Sequence, residues 1–421
     1  MDPLGLVLGG GGARAAYQVG VLRAIARVRP NLEVPILTGV SAGAINAIHL
    51  ARHAGTFAEA VEDLAHLWLG LRMDRVFRTD LPSLALTSLR WGLRLLSGGM
   101  GPSSRSSAGP SAAEAPRSLV DVSPLRRFLC EALQVRSGSE PIPGINHRIQ
   151  EGHLRAVSLS TSSYTTGRSV TWVQGASDVE LWERPLRRSR MTSLTLDHVM
   201  ASAALPLFFP AVPIGTEWFG DGGIRLVAPL SPAVRLGAGR VLALSTRFDR
   251  MPGEDPIPRE LDPYPPPAQV AGQLMNAVFL DLLDQDTLRM ERMNRVLEAL
   301  PPDSQEAAGD LRPVRLQAIR PSVDLGRRAA DFEVDLPRGV RFLFRGLGTR
   351  ETRSPDVLSF LLFDPGYIGA LMELGERDGN ARMGELLELL DPGGARPPRG
   401  PGSGTPRRPH RYSGGRRGNG R

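Results

Sequence analysis

Two glycine-framed turns near the start of the chain, GGGGAR at 9 to 14 and GVSAG at 39 to 43, restrict the fold more than any other feature. Each follows a short apolar run, Leu4 to Leu8 and Val34 to Leu37, and each opens a segment of helical periodicity. Both therefore read as strand-to-helix junctions, which predict an α/β sheet with parallel strands joined through helices. Sites in such sheets are built at the carboxyl ends of the strands, where both turns fall.

A nucleophile on a sharp elbow needs small neighbours two residues to either side, and Gly39 and Gly43 supply them around Ser41. The helix that follows brings its N-terminal dipole and free amides to the same point. The pattern alone is weak, with roughly 0.4 matches expected by chance in a chain this rich in glycine and serine. Gly9 to Gly12 leave backbone N–H groups unobstructed and can cradle an anion. No G-K-[ST] follows, and Arg14-Ala15-Ala16 departs from a dinucleotide fingerprint at its last glycine, which argues against nucleotide phosphate. In acyl transfer the same loop offers the donors an oxyanion requires. Arg14 either orients this loop or is a solvated helix residue.

Histidine usage limits the choice of base. Beyond His198 the sequence has only His410, in a Pro/Gly/Arg-rich tail, so a Ser-Asp-His order is disfavoured and a carboxylate remains to take the serine proton. Asp221 is the best-placed candidate, followed by Gly222 and Gly223 in a tight turn after Trp218-Phe219. At its ordinary pKa an aspartate is a poor base, so it needs a water-poor pocket, and LPLFFP at 205 to 210 supplies an apolar wall. In isolation the same residues also read as an ordinary Asp-Gly turn.

Taken together, the GGG-x-R turn with its YQVGVL continuation, TGVSAGAINA, ASAALPLFFPAV at 201 to 212 and the DGG triplet resemble the bacterial patatin-like phospholipase family over about the first 230 residues. The stretch SFLLFDPGYIGALMELGERDG at 359 to 379 is similar to the C-terminal region of longer members. The resemblance implies a patatin-like three-layer α/β sandwich, with a central mixed, mostly parallel sheet flanked by helices and a C-terminal helical extension. It also implies a Ser41–Asp221 dyad, an oxyanion hole from the Gly10, Gly11 and Gly12 amides, hydrolysis of fatty acyl esters, and no metal or organic cofactor. Ala15 stands where the family usually has glycine, and Val227 where it often has an asparagine able to hydrogen-bond the acid loop. Readings left open are acyl transfer or thioester cleavage by the same dyad, and a catalytically weak lipid-binding or scaffold protein.

The expected organisation is a catalytic domain over 1–250 with its motifs in 4–230, an α-rich extension over 251–390, and a disordered Arg/Gly/Pro-rich tail over 391–421. Residues 393–421 carry eight of the 51 basic residues, all of them arginine, and no acid, so the net charge of +7 leaves the remainder at 7 − 8 = −1. A specific nucleic-acid partner is not expected. The expected partner is lipid at a membrane or micelle surface, with peripheral attachment to the inner membrane face. The start MDPLGLVLGG lacks a basic n-region and no stretch of 18 uncharged apolar residues occurs, so the expectation is a cytoplasmic protein without a spanning helix. The single Cys130 suggests neither disulfide nor metal cluster. Phe57 to Leu71 reads as a helix, 81 to 96 as a lid or core helix bearing Trp91, and 97 to 118 as a flexible insertion. Strands are expected at Leu154 to Ser160, Arg168 to Val173 and Arg240 to Ser245, followed by a Pro-rich connection over 252–267, one long helix from Val270 to Leu300, and a last buried strand over Val314 to Ile319.

Overall fold

The apolar run Leu4–Leu8 forms β1, buried along its whole length, and Ile36–Val40 forms β2 beside it, two residues later than the apolar pattern suggests. The computed structural model describes residues 2–78, 118, 120–206, 208–248, 267–301, 311–332 and 356–391. The helix at 81 to 96, nearly all of the 97–118 insertion, the Pro-rich connection and the tail beyond 391 lie outside the described residues.

Around β1 and β2 the sheet grows in both directions. On one side come β9 (Arg240–Leu244) and β10 (Arg315–Ile319), on the other β3 (Ala156–Ser163), all in parallel register. β4 (Ser169–Gly175) runs antiparallel to β3, and β6 (Arg187–Met191) and β5 (Glu183–Arg184) complete that edge. A hairpin of β7 (Val212–Ile214) and β8 (Glu217–Asp221) joins the far end of β3, giving ten strands among the described residues. The continuous burial of β1, β2 and β9 is what a sheet covered on both faces requires.

Helices cover both faces. Leu6, Leu8 and Leu37 pack with α1 (Ala16–Val28), α2 (Ala42–Arg52) and α3 (Phe57–Gly70), the last opened by a Thr56–Glu59 capping box. Val7, Ile36 and Val241 face the other way, against Leu230 at the start of the helix Ser231–Arg235, Ala233 within it, and Leu283. The C-terminal helix Pro365–Ala381 lies on α1, where Gly20 and Gly375 allow backbone contact because a Cβ on either would collide with the other helix. Tyr17 Oη donates to Asp378 Oδ2 at 3.0 Å across the same contact.

Two expectations need correction. The single helix over Val270 to Leu300 is two, Pro267–Phe279 and Asp281–Ala299, broken at Leu280. Leu280 packs in the core on one face of the sheet and Leu283 in the core on the other, so the chain turns where it passes between them. The strand over Val314 to Ile319 is not fully buried. As β10 it forms the sheet edge, exposed at Arg315 and buried only at Ala318 and Ile319, with Arg382 donating to the Ala318 carbonyl from outside.

Candidate active site

Pairing along β3 brings Ser41 and Asp221 together. β2 pairs with β3 as far as Val40 opposite Ser160, and one residue further along β3, Thr161 lies opposite Asp221 of β8. The residue leaving the end of β2 and the residue ending β8 thus occupy consecutive places on one strand edge.

Ser41 turns the chain from β2 into α2 with φ 55 and ψ −131, a conformation costly for any residue with a Cβ. The flanking glycines make the turn sterically feasible. A Cβ on Gly39 would lie 2.6 Å from the Gly43 carbonyl oxygen, and one on Gly43 would strike the carbonyls of Leu8 and Gly9. The Ser41 N–H donates to Ser202 Oγ at 3.0 Å, and Ser202 Oγ donates to the Ser160 carbonyl at 2.7 Å. Ser202 therefore ties the elbow to β3. Ser202→Ala is expected to leave the Ser41 amide without its buried partner and to lower stability by about 2 kcal/mol, read from urea unfolding.

Asp221 is fully buried, and Oδ1 accepts from the Gly223 N–H at 2.8 Å. Oδ2 is buried without a well-formed hydrogen bond. Burial pushes the carboxyl up to about 7, opposed less strongly by the Ser41 side chain and the Gly223 amide. The Ser41 side chain is thus near enough to Asp221 to favour its charged form. The Tyr164 ring lies against Gly220, and its phenol is raised by burial and then by the Asp221 charge. His198 is engaged elsewhere: Nδ1 lies 2.8 Å from Thr195 Oγ1, and the ring stands edge-on to Trp172.

The glycine loop leaves β1 beside this pair. A Cβ on Gly10 would lie 3.1 Å from Ser41 Cβ, so the loop backbone is in contact with the serine. Among the described residues the Gly10 and Gly11 N–H groups have no intramolecular acceptor. Gly11 and Gly12 both have positive φ, and Gly12 is closed over by the Phe360 carbonyl. Thr246 Oγ1 donates to the Gly10 carbonyl at 2.6 Å, and Gln18 Nε2 to the Gly9 carbonyl at 2.8 Å, so both loop oxygens are held in hydrogen bonds. Gln18 is held by Asn46, and Asn46 by Trp68.

Arg14 is buried rather than solvated. Its guanidinium meets Asp356 Oδ1 and Ser359 Oγ, each at 2.6 Å, and lies 4.6 Å from the centre of the Phe360 ring. These partners belong to the helix Asp356–Leu361, so the C-terminal region holds the glycine loop. Arg14→Ala would strand a buried carboxylate, with an expected loss of about 3 kcal/mol in urea unfolding. Gly222 is equally constrained, because a Cβ there would strike the Ser160 carbonyl.

An apolar cleft of about 480 Å³, mouth included, opens at Ser41 and Gly12 between Ile45, Trp68, Leu71, Leu205, Phe209 and Phe360. Part of the 205 to 210 stretch does line the site. Ser202, Thr246 and the Asp356–Ser359 pair are additions that local pattern does not supply.

The sequence profile of patatin-like phospholipases matches residues 6–234. The chain belongs to the patatin-like phospholipase family. Its sheet order and its helical layers form the patatin fold. No curated protein shows significant sequence similarity to it. Among solved structures, human GIVD cytosolic phospholipase A2 bound to methyl gamma-linolenyl fluorophosphonate is similar at 13% identity and TM-score 0.43, covering 92% of this chain and 59% of that one. VipD from Legionella pneumophila is similar at 14% identity and TM-score 0.33, covering 89% of this chain and 67% of that one. The patatin-like chain thus spans 59% of the length of the human enzyme.

Proposed function

We propose that this patatin-like protein is a lipid acyl hydrolase in which Ser41 is the nucleophile and Asp221 its base. The observation that carries this reading is a buried carboxylate, raised to about 7, next to a serine on a strained elbow that faces unpartnered backbone amides. A carboxylate of that basicity is half ionised near neutral pH and can accept a hydroxyl proton that an exposed aspartate would not.

In the first step the Ser41 oxygen attacks the ester carbonyl carbon and its proton passes to Asp221 Oδ2. The carbonyl oxygen becomes an oxyanion facing the Gly10, Gly11 and Gly12 amides, which stabilise it. Collapse breaks the ester C–O bond, and the leaving alkoxide takes the proton from Asp221. Asp221 then removes a proton from water as it attacks the acyl-enzyme carbonyl; the Ser41 Oγ–acyl bond breaks, Ser41 Oγ takes that proton back from Asp221, and the fatty acid leaves. The cleft between Ile45, Leu71 and Phe209 receives the acyl chain.

We assign catalysis to the motif-bearing part 4–230, and to the segment after 250 the holding of Arg14 and hence of the glycine loop. The substrate is lipid ester presented at a membrane or micelle surface, approached from outside. Among the described residues no helix is long and apolar enough to cross a membrane. The test is fatty acid release from mixed phosphatidylcholine and phosphatidylglycerol vesicles. Release that follows enzyme concentration is expected; a folded protein that releases none, from vesicles or from short soluble esters, would overturn the reading.

A further inference from the structure

Three chain reversals stand side by side at the end of the sheet where Ser41 and Asp221 lie. They join β3 to β4 over 164–168, β5 to β6 over 185–186 and β7 to β8 over 215–216. β8 pairs with β3, β3 with β4 and β4 with β6, so the reversals are close neighbours. Hydrogen bonds tie them together: the Tyr164 N–H donates to the Trp218 carbonyl at 2.8 Å, the Trp218 N–H to Thr165 Oγ1 at 2.9 Å, and the Ser169 N–H to the Leu186 carbonyl at 2.9 Å. Trp218 precedes Asp221 on β8 by three residues, which sets it about 10 Å further out along the strand.

This rim exposes three large apolar side chains: Trp218 is 44% accessible, Tyr164 51% and Leu186 62%. Leu186 also has φ 62, a conformation glycine adopts without strain and leucine does not. The fold thus carries strain at Leu186 with little burial in return, which points to a contact outside the chain. Tyrosine and tryptophan have the apolar body and polar tip that suit the boundary between water and lipid. Charge on the rim has one sign in excess. Arg168 pairs with Glu183, and Arg188 and Arg190 share Glu217. Arg184, Arg187 and Arg225 have no salt-bridge partner among the described residues. These eight residues sum to +4, whereas the chain before residue 393 carries −1 in all.

Resting on the hydrolase reading above, we propose that this rim seats the enzyme on an anionic membrane. Trp218, Tyr164 and Leu186 enter the headgroup boundary, Arg184, Arg187 and Arg225 meet lipid phosphates, and the Ser41 site is brought to the lipid surface. Preference for anionic vesicles then arises in binding, before any chemistry, and weakens as salt screens the arginines.

The test is sedimentation of the full-length protein with vesicles of diether phosphatidylcholine, alone or mixed with about a third of diether phosphatidylglycerol, lipids that have no ester to cleave. Wild type should partition onto the anionic vesicles and far less onto the zwitterionic ones. Arg184→Gln combined with Arg187→Gln should lower that partitioning about 25-fold at low salt, since each arginine near such a surface contributes about fivefold. Trp218→Ser and Leu186→Gly, the second of which also relieves strain, should each lower it about threefold to tenfold. Val28→Ser, an exposed position at the end of α1 away from the glycine loop, should change nothing. All four variants should cleave p-nitrophenyl butyrate within about twofold of wild type, which checks the fold and separates membrane binding from chemistry. Equal partitioning of wild type onto the two vesicles, or unchanged partitioning in the arginine pair, would overturn the proposal. So would an arginine pair that loses binding to single-stranded RNA and keeps binding to vesicles. A wild type that binds no vesicle yet cleaves the soluble ester would remove the membrane role of the rim and leave the hydrolase reading standing; one that binds vesicles in the expected pattern and cleaves no ester would do the reverse.

Discussion

Ser41→Ala is expected to lower ester hydrolysis by about four orders of magnitude or more while the protein stays folded. Loss of a nucleophile removes the covalent route altogether, leaving the binding cleft and the oxyanion donors to give a small residual rate. The fold should survive because the elbow is held by backbone and neighbours rather than by the Ser41 hydroxyl. The Ser41 N–H still reaches Ser202, and the glycines at 39 and 43 still admit the turn. Alanine meets the same strain at φ 55 as serine does, so the urea midpoint should move little. The check is vesicle hydrolysis and urea unfolding on one preparation; a variant that keeps even a tenth of wild-type activity would exclude Ser41 as nucleophile.

Asp221→Asn should move activity and stability in opposite directions. Asparagine cannot take the Ser41 proton, so hydrolysis should fall by about a thousandfold. Stability follows from linkage. The carboxyl has its ordinary pKa of 3.8 in the unfolded chain and about 7 in the folded one. Below 3.8 both states hold the proton and the group contributes no penalty. As pH rises towards 7 the unfolded state ionises first, and stability is lost until the folded pKa is passed. The displacement corresponds to a ceiling of about 4 kcal/mol above neutral pH. Asparagine escapes this penalty, and its side-chain oxygen can still accept from the Gly223 amide. Urea unfolding should find Asp221→Asn more stable than wild type at pH 8 and nearly equal to it at pH 4. A variant less stable at pH 8 would mean that Asp221 is not a strained buried carboxylate. The wild-type rate should rise with pH through an apparent pKa near 7, where the base becomes ionised.

What was legible in the sequence was local. The two glycine turns announce themselves because steric demand is confined to residues within two positions of the turn, and β1, α1, β2 and α2 follow from them. The placing of Asp221 opposite Thr161 depends on β3 and β8, short segments whose pairing is set by the whole sheet rather than by their own pattern. The hairpin of β7 and β8 turns at Gly215 with φ 60, but strands of three and five residues give little periodicity to read. Arg14 could be read either way because its partners, Asp356 and Ser359, lie more than 340 residues downstream. Ser202 sits in an alanine-rich helical stretch, where nothing local marks a hydroxyl that will bridge two strands. Val227 takes on a different meaning in three dimensions: it is exposed, and its N–H bonds the Arg225 carbonyl, while Asp221 accepts from the Gly223 amide and donates its own N–H to the Ala204 carbonyl. Polar support at position 227 is therefore not what keeps the carboxylate in place here.

The central claim is that one serine, activated by one buried carboxylate, carries the acyl group. Its most direct measurement is intact-mass analysis of the wild-type protein after reaction with a long-chain alkyl fluorophosphonate, followed by peptide mapping of the adduct. A single adduct on Ser41, formed faster as pH rises through 7 and greatly slowed in Asp221→Asn, is the predicted result. An adduct on another residue, or fatty acid release from lipid by a protein that forms no adduct, would contradict it.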